Sequence, residues 1–145
     1  HDEAGFNLRL TNIQAALGLG QLENMPCFLE EKKTNFQKYT QLLKEVQSVE
    51  IGKVPDYSIN NHWITWVSLQ SCYPKTLASL IESFSRQGIE VRPVWKPNHL
   101  QKPYLYSQRF KIDRAEDLVG STLCLPSSAG LTDIELQRVV DCFDN

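Results

Sequence analysis

The chain has no apolar run near the roughly 18 residues that a bilayer span requires, so no stretch of it reads as a membrane segment. It also lacks the basic excess of a nucleic-acid binder. Lys and Arg number 15 against 17 Asp and Glu, a net charge of −2. The four cysteines, Cys27, Cys72, Cys124 and Cys142, are widely spaced and form no C-x-x-C pair. Zinc wants paired ligands at short spacing, so no metal is expected and free buried thiols in a reducing cytoplasm are. There is no internal repeat and no low-complexity tract. The opening His-Asp-Glu-Ala-Gly is neither a signal peptide nor a start methionine, and the expectation is a chain that begins inside a larger protein. What is present is ordinary for a globular domain: 145 residues, 41% hydrophobic and 22% charged. A chain of this size hides about 68–70% of its unfolded surface.

The most informative stretch lies near the start. Thr11 followed by Gln14 has the capping-box form and predicts a helix beginning just after Thr11. Gly18 and Gly20 each cost such a helix about 1 kcal/mol relative to Ala. With Ala15 and Ala16 they leave a face almost without side chains, which suits the close approach of another backbone. Ahead of the helix, Asn7 and Arg9 alternate with Phe6, Leu8 and Leu10 in an extended pattern. Polar groups and one fixed positive charge beside a helix start suit a phosphate or carboxylate.

Met25-Pro26 marks a break, because proline is welcome only in the first turn of a new helix. Over residues 26–47, Leu29, Phe36, Tyr39, Leu43 and Val46 form one helical stripe, and Glu30, Glu31, Lys32, Lys33 and Lys38 fill the other faces. Residues 51–61, rich in turn formers, read as a connection. Residues 62–69 are dense in β-branched and aromatic side chains and predict a strand, with His62, Trp63 and Trp66 as core packing. Pro74-Lys75-Thr76 opens a helix carrying Leu77, Leu80, Ile81 and Phe84, which Gly88 ends. Residues 89–92 alternate as a short strand. Residues 93–110 hold three prolines, four aromatics and no helical period, the marks of a long ordered loop of the kind that carries function. A short helix over 115–120 and a strand over 122–125 follow. Thr132 with Glu135 forms a second capping box, opening a terminal helix that presents Ile134, Leu136, Val139, Val140 and Phe143. Three strands separated by helices predict an α+β fold, a small sheet covered on one face by helices.

Three blocks carry a resemblance to a known family. Residues 5–23, GFNLRLTNIQAALGLGQLE, resemble the G-Y/F-N-x-R-x-x-N-x-Q-A-A-x-G-x-x-Q-L-E signature of the DegT/DnrJ/EryC1/StrS family. These are nucleotide-sugar aminotransferases dependent on pyridoxal 5'-phosphate (PLP). Residues 92–101, RPVWKPNHLQ, resemble a segment of the members that aminate UDP- or GDP-linked 4-keto-6-deoxy sugars. Leu123-Cys124-Leu125-Pro126-Ser127-Ser128, followed by Leu131-Thr132, resembles the CLPSG/S…LT ending of that group. The resemblance covers nearly the whole chain but only the C-terminal part of such an enzyme. It implies that residues 1–24 are an interface and cofactor segment with a connecting helix. Residues 25–145 would then be the small C-terminal domain of a fold-type I PLP-dependent aminotransferase, with a mainly antiparallel sheet after a long, kinked helix.

The same resemblance assigns roles. Taken alone, Asn7 reads as a turn or cap residue; the resemblance implies that its amide reaches across a dimer interface to the PLP phosphate of the partner subunit. Arg9 offers a planar fork for phosphate or carboxylate, or a structural ion pair, and is expected with Trp95, Lys96 and His99 to shape the sugar-nucleotide site. Trp95 has a flat face against which sugars pack, Lys96 can meet a diphosphate, and His99 can hydrogen-bond a sugar hydroxyl or a phosphate oxygen. Arg92 reads equally as structural. The expected activity is transfer of an amino group, from glutamate through PLP, onto the keto carbon of a nucleotide-linked 4-keto-6-deoxyhexose, for glycan biosynthesis in a cytoplasmic homodimer. The lysine that holds PLP covalently lies upstream in the family. None of the nine lysines here stands in that context, so this chain alone is expected to be inactive. Two alternatives stay open at this point: a PLP-dependent sugar dehydratase on the same scaffold, and a non-catalytic sugar-nucleotide-binding or dimerisation module.

Overall fold

A computed structural model describes residues 5–6 and 8–144 of the chain. Helix α1 (Asn12–Glu23) opens on the expected capping box. The Gln14 N–H donates to Thr11 Oγ1 at 3.3 Å, and the Thr11 N–H donates to Gln14 Oε1 at 3.0 Å. The helix stops at Asn24, whose side-chain amide donates back to the Gly20 carbonyl at 2.8 Å. Helix α2 (Met25–Leu42) begins at once, with Pro26 in its first turn, where the missing N–H would have had no helical partner. A 3-10 turn, Leu43–Glu45, finishes it.

The sheet has four strands where the sequence predicts three. Strands β1 (Val49–Ile51), β2 (Thr65–Leu69), β3 (Arg92–Pro93) and β4 (Thr122–Leu125) lie in the order β1-β2-β4-β3, every pair antiparallel. Strand β1 falls partly in the segment read as a connection. Its three residues are too few to display alternation. Strand β3 holds only the end of the strand expected over 89–92. Helix α3 (Leu77–Arg86) starts at its N-cap Thr76, and the chain turns away at Gly88 with φ +71°. Helices α4 (Asp113–Val119) and α5 (Asp133–Asp141) complete the chain. The second capping box, Thr132 with Glu135, is formed.

Register decides what each face of the sheet meets. Thr65 pairs with Leu125 and Val67 with Leu123, and all four are buried on the side covered by helices. Tyr39 of α2, Leu80 and Phe84 of α3, and Leu136, Val139 and Val140 of α5 close that side. Phe143 packs edge-on against Phe84, ring centres 5.2 Å apart. Each such large side chain contributes roughly 1.5–3 kcal/mol by leaving water. Ile134 is not part of this stripe: it is 76% exposed, because it precedes Leu136 by two positions and so points to another side of α5.

One face of α2 also secures the segment after β4. Tyr39 Oη donates to the Pro126 carbonyl at 3.0 Å, Lys32 Nζ to that of Ser127 at 2.6 Å, and Asn35 Nδ2 to that of Ser128 at 3.0 Å. From the other side, Ser127 Oγ accepts from the Thr65 N–H at 2.7 Å and donates to the Leu125 carbonyl at 2.8 Å. Three consecutive carbonyls are thus paired with side chains one or two helical turns apart on α2.

The opposite face of the sheet is only partly covered. Trp66 lies over Gly52, where a Cβ would stand 2.3 Å from Trp66 Cε2, so only glycine fits beneath the indole. Helix α1 contributes no buried residue. Its Ile13, Leu17, Leu19 and Leu22 are 57–75% exposed, and a Cβ at Gly18 or Gly20 would meet nothing within 4 Å. The bare face expected from the glycines is present and open. Among the described residues no helix is long and apolar enough to cross a membrane. The expectation of buried thiols is corrected: Cys142 is buried and Cys124 half-buried, but Cys27 and Cys72 are exposed.

Candidate functional site

The loop that follows β3 is ordered by its own polar groups. Two 3-10 turns, Asn98–Leu100 and Lys102–Tyr104, follow Pro97. Gln101 Nε2 staples the first of them, donating to the Lys96 carbonyl at 3.1 Å and to Asn98 Oδ1 at 3.2 Å. This loop carries three of the sequence-predicted site residues, Trp95, Lys96 and His99.

Trp95 and Lys96 are exposed. Trp95 stacks on Trp63, with ring centroids 5.8 Å apart and planes 16° from parallel. Trp63 was expected in the core, but it is 61% exposed and precedes β2. The chain bends just before it. His62 takes a left-handed φ of +48°, and the Asn60 and Asn61 side-chain oxygens accept from the His62 and Trp63 N–H groups. The two asparagines, turn formers ahead of an aromatic, were the available signal. His62 is held differently, its ring 4.5 Å from that of Phe36. Burial, with help from Lys33, pulls its pKa below the ordinary histidine value.

His99 stands apart from the tryptophans in character. Its side chain is only 11% exposed, and Nε2 lies 2.6 Å from Glu116 Oε1 of α4. Arg92, from the neighbouring strand, faces the same side of the sheet as Cys124 and Trp66. Its guanidinium donates twice to Glu90 Oε1, at 2.9 and 2.6 Å. Trp63, Arg92, Cys124 and Ser127 share a cleft of about 580 Å³, with Lys32 and Arg138 on its helical side. Burial pushes the Cys124 thiol pKa up, which makes it a poor nucleophile at neutral pH.

The remaining predicted residues belong to the segment before α1. Arg9 is exposed there, and Asn7 lies outside the described residues. The structure therefore gathers Trp95, Lys96 and His99 on one loop beside Trp63, and keeps Arg9 on a separate element.

Comparison with known proteins follows the same outline. The model of the DegT/DnrJ/EryC1/StrS aminotransferase family matches residues 1–144. GDP-perosamine synthase of Caulobacter vibrioides is 34% identical over 143 residues, which cover 97% of this chain and 38% of that protein. DesI, solved in the presence of its TDP-sugar product, shares the fold with a TM-score of 0.84 at 23% identity, over 95% of this chain and 36% of that one. Spr1654 from Streptococcus pneumoniae, solved in its PLP form, matches with a TM-score of 0.80 at 19% identity, over 93% and 35%. The chain thus spans little more than a third of the length of the proteins it matches.

Proposed function

Because the chain belongs to the DegT/DnrJ/EryC1/StrS aminotransferase family, we propose that it works as the C-terminal domain of a PLP-dependent enzyme that aminates a nucleotide-linked keto sugar. Residues 1–24 serve as the interface and cofactor segment, and residues 25–145 as the small domain. The acceptor is a 4-keto-6-deoxyhexose carried on a nucleoside diphosphate, the donor is glutamate, and the enzyme is a cytoplasmic homodimer.

The observation that carries the reading is the loop after β3. It holds an exposed indole, an exposed ammonium and a carboxylate-paired imidazole within five residues. Sugars pack on indole faces, diphosphates pair with point charges, and hydroxyls bond to imidazole nitrogens. Near α1, the residues present suit the cofactor's phosphate. Asn7 would supply amide donors from the segment ahead of the helix, and Arg9 brings a guanidinium for a phosphate or carboxylate of the nucleotide-sugar site. When bound, PLP supplies the electron sink that lets an amino group pass between donor and acceptor. The work of this chain is to bind and orient. Trp95 and Trp63 give the sugar a wall, Lys96 and Arg9 meet the charged groups of the nucleotide sugar, and Asn7 holds oxygens of the cofactor's phosphate.

Helix α1 supports the dimer. Large apolar side chains clustered on one helix are normally covered, yet Ile13, Leu17, Leu19 and Leu22 of α1 are all exposed. In the whole protein it is covered by the large domain on one side and the second subunit on the other.

The test uses the full-length protein with PLP, glutamate and a UDP-linked 4-keto-6-deoxy sugar. A cofactor absorbance band with amino-sugar formation, both weakened in Asn7→Ala, is expected. Keto sugar consumed without amino-sugar formation points to a dehydratase. A protein that binds no PLP ends the enzymatic reading and leaves a binding module.

A further inference from the structure

The His99–Glu116 pair does more than close a loop. The two residues are 17 positions apart, on different elements, and their bond at 2.6 Å is, among the described residues, the side-chain hydrogen bond that ties the loop after β3 to α4. Helix α4 needs it. The helix has no buried residue, and its N-cap Ile112 makes no side-chain capping bond. His99 is largely enclosed at 11% exposure, whereas Glu116 retains 44%. The imidazole is therefore the fixed partner, and the carboxylate comes to it from the solvent side.

The chemistry of the pair sets the state of the ring. An ionised carboxylate only accepts hydrogen bonds, so the nitrogen facing it must carry the proton. Nε2 is that nitrogen, and the neutral ring is consequently the Nε2–H tautomer with a bare lone pair on Nδ1. Among the described residues no group hydrogen-bonds Nδ1. We propose that Glu116 is a positioning residue: it locks His99 in this tautomer and orientation so that Nδ1 accepts a hydrogen bond from a hydroxyl of the bound sugar. The ligand's identity rests on the function proposed above; the locked ring does not. In the neutral ring Nδ1 only accepts, so a phosphate oxygen, which also only accepts, is not its partner in that state.

The test takes the full-length protein labelled with ¹⁵N-histidine, His99 being assigned from the signal lost in His99→Asn. Wild type should show a protonated Nε2 and a bare Nδ1. Glu116→Gln, whose amide oxygen still accepts from Nε2–H, should keep that pattern, and Glu116→Ala should give a mixture of tautomers. In amine transfer, Glu116→Ala should raise the KM for the nucleotide sugar roughly 10-fold, as the loss of one oriented hydrogen bond does, with kcat little changed. The double variant Glu116→Ala/His99→Asn should be no worse than His99→Asn alone. A proton on Nδ1 in wild type, or losses that add in the double variant, would overturn the proposal. A wild-type protein that transfers no amino group removes the aminotransferase reading instead, and the ring state still decides the role of Glu116. Should Glu116→Ala fail to fold, Glu116→Asp, whose carboxylate is one methylene too short for the 2.6 Å bond, takes its place, and an unmixed tautomer there would overturn the proposal.

Discussion

Removing one oxygen from Tyr39 tests the strap that α2 places over residues 126–128. Tyr39 is fully buried, and its hydroxyl donates to the Pro126 carbonyl at 3.0 Å. Tyr39→Phe keeps the ring and its packing, so the loss is confined to one donor. The carbonyl it leaves is half-buried and has no second donor among the described residues. An average hydrogen bond is worth about 1 kcal/mol net, and a buried acceptor left unpaired costs about 1–3 kcal/mol. Partial exposure of Pro126 places the expected loss near the lower half, about 1–2 kcal/mol. Tyr73→Phe is the control. Its hydroxyl donates to the Phe143 carbonyl at 2.8 Å, but Tyr73 is less enclosed, and the expected loss is about 0.5–1 kcal/mol. The assay is urea unfolding followed by tryptophan fluorescence, with unchanged slope required so that only stability is compared. Asn35→Ala removes the neighbouring pin on Ser128. Because both pins act on one short segment, the double variant should depart from additivity by about 0.5 kcal/mol or more. A Tyr39→Phe protein indistinguishable from wild type would refute the argument, since it would mean that water replaces the phenol at no cost.

Three further outcomes are expected. Gly52→Ala drives a methyl into the Trp66 indole and should destabilise by about 1–3 kcal/mol, the usual cost of overpacking; loss of the Trp66 near-ultraviolet dichroism would accompany it, and a neutral result would mean that the indole is free to move aside. Glu135 has its pKa lowered, first by the Thr132 backbone N–H and then by the Thr132 hydroxyl. A depressed carboxyl stabilises above its unfolded value, about 4.3, and that contribution is lost as pH falls through the lower folded value; acid titration of stability below about pH 4.3 should therefore be shallower in Glu135→Gln. Trp63→Ala should weaken nucleotide-sugar binding about as much as Trp95→Ala, roughly 10-fold for a lost stacking partner of 1–1.5 kcal/mol. Calorimetry on the full-length protein decides it, and a silent Trp63→Ala would return that residue to packing alone.

How much of this was readable beforehand depended on how local each cause is. Both capping boxes involve a hydroxyl and a side chain three residues on, so Thr11 with Gln14 and Thr132 with Glu135 announce their helices within four letters. The stripe of α5 was legible too, apart from Ile134. Strand β1 was not, because Val49–Ile51 exists through its pairing with β2, whose partner residues lie 16 to 20 positions away. Trp63 was misplaced for a related reason. An aromatic-rich run predicts a strand as a whole, whereas two asparagine side chains turn its first residues out of the sheet. Among candidate site residues, the loop bearing Trp95, Lys96 and His99 was marked by its prolines and aromatics. Glu116 was invisible, since a glutamate on a short helix says nothing until the imidazole 2.6 Å away is in view.

The two borders of the sheet bear on the proposed association of subunits. Strand β3 is two residues long and ends in Pro93, which has no N–H to offer. Strand β1, at the other border, is three residues long with the charged Glu50 at its centre. Short strands bearing a charge or a proline are the features that discourage a visiting strand from pairing with an edge. The proposed subunit contact then falls to helix α1, whose Ile13, Leu17, Leu19 and Leu22 are exposed. In the proposed dimer, acidic substitutions at Leu17 and Leu22 should separate subunits while leaving the sheet and the loop after β3 as they are.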